Sequence, residues 1–114
     1  MSIEVDVWVR GTMHATTHAI DSLPDPRDWQ EQDVRQLLSE MLLALAREKN
    51  PGGDPPPVSL RGFSWIVSPY EFGVLVHLEM QMGTASAGPL AIDEDRLTAM
   101  VARIMTAEQS PVVH

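Results

Sequence analysis

Four histidines, with the carboxylates and arginines around them, are the groups in this chain able to move a proton or hold an ion. His77 and Glu79 stand two residues apart in the run Val74 to Met82, so an extended backbone presents both on one face. An imidazole titrates near neutrality, and a carboxylate beside it can orient the ring, which is the arrangement of a general acid or base. Arg10 joins them if the first strand pairs with this run so that Val7 lies near Met80, placing Arg10 beside His77 and diagonal to Glu79. The plainer reading is an ion pair with hydrogen bonds on a wet sheet face, and it is preferred.

The other groups point less far. In a strand, His14 and His18 stand about 13 Å apart at ~3.3 Å per residue, too far to share one metal ion, and they read as surface histidines. Asp93-Glu94-Asp95 looks like an acidic metal motif but sits where a helix N-terminus attracts acids, so it reads as a cap. There is no cysteine and hence no disulfide or thiolate site. No serine lies in a nucleophile-elbow context and no glycine-rich phosphate loop occurs. Neither a metal nor a cofactor is expected.

The 114 residues, 44% hydrophobic, match one α+β domain over residues 1–114 with one core. Glu4 and Asp6 occupy positions where a signal peptide would be basic and then apolar, and the longest apolar run, Met41 to Ala46, is far short of a membrane span. The expectation is a soluble, cytoplasmic protein without a membrane partner. A net charge of −8, spread along the chain, repels a phosphate backbone, so nucleic acid is not an expected partner.

Five elements can be placed from periodicity and punctuation. Ile3 to about Thr16 reads as one long strand with Ile3, Val5, Val7, Val9 and Met13 on its buried face and a bulge at Gly11. A helix opens either at Asp25-Pro26 or at Asp28 with Glu31 in a capping box, buries Val34, Leu37, Leu38, Met41, Leu42 and Leu45, and stops at Asn50-Pro51-Gly52-Gly53. Asp54-Pro55-Pro56-Pro57 reads as a stiff surface connector. A second strand within Val58 to Ser68 turns through Ser68 to Gly73 into a third, Val74 to Met82, expected to be the central strand, with Val67 facing Val74 and Trp65 facing Val76. Gly83 to Ala91 reads as a loop, and the last helix starts with Asp93 as N-cap and buries Leu97, Met100, Val101, Ile104 and Met105. Met80 and Met82 are also expected on inward stripes, and Val112-Val113 is too short to place.

The order β-α-β-β-α predicts a two-layer sandwich with a mostly antiparallel sheet of order 2-3-1 and both helices on one face. This plan resembles a ferredoxin-like half-sandwich with its last strand short or missing. The other sheet face then carries Trp8, Ile66 and Leu75 beside the Arg10, His77 and Glu79 group, and that much apolar surface invites a cover. No motif assigns a function. Small size, acidic charge and the lack of a catalytic motif favour a non-enzymatic protein-association module, self-associating as a homodimer or binding another protein. The alternative is a homodimeric protein holding a small molecule, or a cofactor-free enzyme, with its pocket on the open sheet face.

Overall fold

The computed structural model describes residues 2–53, 60 and 62–109. Its elements run β1 (Ile3–Val9), β2 (Ala15–Ile20), a 3-10 turn (Pro26–Asp28), α1 (Glu31–Lys49), β3 (Ser64–Tyr70), β4 (Gly73–Met80), β5 (Gly83–Leu90) and α2 (Glu94–Gln109). The class is α+β: one five-stranded sheet of order β2-β1-β5-β4-β3 with every neighbouring pair antiparallel, and two helices against it. Both helices contribute to one core with the inward side chains of the sheet, so they share a face.

Two expected features are corrected, and together they replace β-α-β-β-α by β-β-α-β-β-β-α. The first strand does not run through to Thr16. Gly11, at a φ of 93°, opens a turn in which Thr12 donates its N–H to the Val9 carbonyl, and the chain returns as β2. Met13 is therefore at the tip of a hairpin and 92% exposed instead of buried. The second correction is larger: Gly83 to Leu90 is a strand, and it lies between β1 and β4 at the centre of the sheet. Order 2-3-1 thus gains a strand between its last two members, and β4 is an interior strand but not the central one. Val7 pairs with Ala85, which pairs with Leu78, so the expected direct pairing that set Val7 near Met80 does not exist.

Why β5 is central follows from its side chains. Gly83, Ala85, Ala87 and Leu90 are buried on the helical side, where short side chains let α1 approach the sheet closely. On Gly83 a Cβ would lie 2.0 Å from the Trp8 carbonyl oxygen, so only glycine closes the β1–β5 ladder there.

The β3–β4 hairpin turns on Glu71 and Phe72 alone, which moves the register two residues from the expected one: Val67 pairs with Val76 and Trp65 with Leu78. A two-residue shift keeps every side chain on its face, so the facing of the large residues survives. Glu71 adopts a φ of 53°, a left-handed conformation that favours glycine. Glu71→Gly should accordingly raise stability by about 1 kcal/mol, read as a higher urea midpoint with an unchanged slope.

Acidic side chains stand in the first turn of both helices, although the N-cap of α1 is Gln30. Before α1, the Asp25 carboxylate accepts from the Arg27 N–H and pairs with its guanidinium at 2.8 Å, which holds that carboxyl down at about 2 and raises Arg27. Neither expected start of α1 is the actual one, because Asp25-Pro26 opens the 3-10 turn and α1 itself starts at Glu31, where Asp33 accepts the Gln30 N–H at 2.8 Å. Trp29, fully buried, donates its indole N–H to the Pro24 carbonyl, and Arg96 of α2 reaches the carbonyls of Arg27 and Trp29, fixing this connection to the core. Asp93 caps α2 through the Arg96 N–H at 3.0 Å. The expected inward residues of both helices are buried, while Met80 and Met82 are half-buried at the core margin. The connector 54–57 and Val112-Val113 lie outside the described residues.

Candidate functional site

The alternation that buries Ile3, Val5 and Val7 turns Glu4, Asp6 and Trp8 to the sheet face without helices, and the same parity turns Leu75, His77 and Glu79 of β4 that way. Register then fixes their neighbours. One row crosses all five strands as Thr17, Asp6, Ser86, His77 and Ile66; the next crosses as Ala15, Trp8, Thr84, Glu79 and Ser64. Because β5 contributes only Thr84, Ser86 and Gly88 here, the middle of the face is a shallow trough. Glu4, Asp6 and Trp8 rise on one side of it and Leu75, His77 and Glu79 on the other.

Each expected site residue can be placed on this grid. His77 and Glu79 share the face and are neighbours along β4, as their spacing requires. Arg10 is not beside His77. It stands at the far end of the face, where its N–H donates to the Met82 carbonyl at 2.8 Å and its Nε to the Gln81 carbonyl at 2.9 Å. His77 is level with Asp6, so four residues of strand, about 13 Å, separate its row from Arg10. Arg10 and Glu79 instead border one open hollow of about 530 Å³ with Phe63 and Gln81, without forming an ion pair.

The partner His77 does have is Ser86, whose hydroxyl lies 2.6 Å from its Nδ1. Sequence reasoning missed Ser86 because it missed β5. Asp6 flanks Ser86 on the other side but accepts from the Thr17 hydroxyl at 2.7 Å, so it does not orient the imidazole. The row therefore holds a serine and a histidine in contact, without a carboxylate behind the ring among the described residues. His18 faces the helical layer and meets Glu48 at 3.1 Å, whereas His14 is exposed in the β1–β2 turn. Among the described residues no three His, Cys, Asp or Glu side chains gather as a metal site. No helix among them is long and apolar enough to cross a membrane.

The three apolar residues of the face differ in exposure. Ile66 is 56% exposed, while Trp8 and Leu75 are half-buried. The Trp8 indole N–H donates to the Thr12 carbonyl at 3.1 Å, and Leu75 lies over Gly88, where a Cβ would come within 2.7 Å of its side chain. Acidic groups outnumber arginine and lysine on both layers. Glu4, Asp6 and Glu79 belong to the open face, where Arg10 at its end is the only arginine or lysine among the described residues; Arg27, Arg35, Arg47, Lys49, Arg96 and Arg103 all belong to the helices and their connections. A scan against protein-family models and searches of curated proteins and of solved structures found no match to this chain.

Proposed function

We propose that this protein is a non-enzymatic association module whose open sheet face receives another protein. The observation that carries the reading is the asymmetry of the two layers. One face of the sheet is sealed by both helices, while the other leaves Trp8, Leu75 and Ile66 around a trough of small side chains with no other element over them among the described residues. A face of that kind gains by being covered. Its charges select the cover: Glu4, Asp6 and Glu79 fit a partner that brings lysine or arginine around an apolar anchor, and they oppose a second copy laid face to face.

Catalysis has less support. Arg10 is far from His77, the imidazole has no carboxylate behind it, and the hollow beside Glu79 is open to solvent. A displayed library of random peptides, selected on the immobilised domain, tests the reading. Wild type should enrich basic peptides with one aromatic or aliphatic anchor, and the folded double variant Trp8→Glu, Ile66→Glu should lose at least about tenfold in affinity for them, since a central aromatic commonly carries about 2 kcal/mol. Failure to enrich any peptide, or binding unchanged in the double variant, would remove the open face as a docking site.

A further inference from the structure

The two edges of the sheet are built differently. At β3, Tyr70 and Gly73 close the two-residue turn and so form a hydrogen-bonded pair, which leaves the backbone groups of Trp65, Val67 and Pro69 on the outer edge. Pro69 has no donor to offer there, and α2 packs alongside this strand. Those are two of the usual ways in which an edge is kept from pairing with another chain.

Strand β2 carries neither device. It has no proline, lysine or bulge, no acidic residue in a chain of net charge −8, and among the described residues no element beyond β1 packs on it substantially. Its free backbone groups can be identified. The Arg10 N–H bonds to Met82, so alternate residues of β1 up to Arg10 point to β5, and Ile3, Val5 and Val7 point to Ile20, His18 and Thr16. Ala15, Thr17 and Ala19 therefore direct their N–H and C=O groups outward.

We infer that a second copy of this chain pairs antiparallel along β2, about a two-fold axis at Thr17, to make one continuous sheet through both molecules. The sequence Ala15, Thr17, Ala19 reads the same in both directions. With Thr17 opposite Thr17 of its copy, Ala15 falls opposite Ala19, and each pair is of the type that exchanges both hydrogen bonds. Facing threonines are a favourable cross-strand pair, and alanines leave the approach unobstructed. The Thr17 hydroxyl already holds Asp6 back along the face, so the nearest carboxylate does not turn toward the copy. This pairing uses the sheet edge, not the open face, so the two surfaces can be occupied together and tested apart.

A ladder this short buries less than a lasting interface, so the dimer should be a reversible, micromolar one. Sedimentation equilibrium on the full chain should show an average mass rising from 12.6 kDa toward twice that value between micromolar and near-millimolar concentration. Hydrogen exchange of the Ala15, Thr17 and Ala19 amides should slow over the same range. Thr17→Lys, which puts like charges opposite each other at an exposed site, should weaken the dimer about tenfold or more while leaving the monomer's melting temperature nearly unchanged. Thr17→Pro removes the outward backbone donor, together with the hydroxyl that bonds Asp6, and should abolish it; should that variant fail to fold, the lysine variant decides. A wild type that stays monomeric throughout would overturn the inference, as would a dimer indifferent to Thr17→Lys. A dimer broken by Trp8→Glu but not by Thr17→Lys would place the copy on the open face instead.

Discussion

Val76→Asp should unfold the domain, whereas Leu75→Asp, one residue away, should leave it folded with a modest loss. Val76 is fully buried on the helical side of β4, between Ala87 of β5 and Val67 of β3. A carboxylate there has no polar partner, and leaving it unpaired costs roughly 3 kcal/mol or more against a total stability of about 5–15. Leu75 belongs to the open face, where an added carboxylate stays hydrated and the loss is the cover that its side chain gives Gly88. Urea unfolding of the two variants checks this directly. A lower midpoint for Leu75→Asp than for Val76→Asp would mean that the faces of β4 had been exchanged.

Gly83→Ala is expected to be nearly as damaging, although it adds a single methyl group. That methyl would meet the carbonyl oxygen of Trp8 and the backbone of Val9, neither of which can rotate away, and the residue would also have to hold a φ of 153°. β1 and β5 would have to separate at this point, at a cost of about 3 kcal/mol or more. Gly11→Ala makes a useful comparison, because Gly11 also has positive φ but open space around it; it should cost about 1 kcal/mol. Thermal melts showing the two substitutions to be equivalent would argue against the close approach of β1 and β5.

These two glycines mark how far the sequence could be read. Both helices were legible because Leu, Met and Val recur at helical spacing. β1 and β4 were legible because valines alternate with polar residues. Strand β5 was not, since Gly-Thr-Ala-Ser-Ala-Gly-Pro-Leu has the composition of a loop: its inward residues before Leu90 are glycine and alanine, which alternate in burial without alternating strongly in hydropathy. Small size was the requirement of the central position, and it hid the strand. The error then spread to the site. With β5 absent, β1 and β4 had to be paired directly, which brought Arg10 to His77 and left Ser86 unseen. His77 and Glu79 kept their face because spacing within one strand is independent of its neighbours. Likewise, a two-residue error in the β3–β4 turn changed each partner but no facing, so Ile66, Trp8 and Leu75 remained together on the open side.

Whether the open face is where this protein meets its partner is decided by amide chemical-shift mapping on the ¹⁵N-labelled domain with a peptide enriched in the selection. Perturbations should concentrate at Asp6, Trp8, Thr84, Ser86, Leu75, His77 and Ile66, and fall off as salt is raised because Glu4, Asp6 and Glu79 contribute. Perturbations confined to α1 and α2, with the open face unchanged, would contradict it.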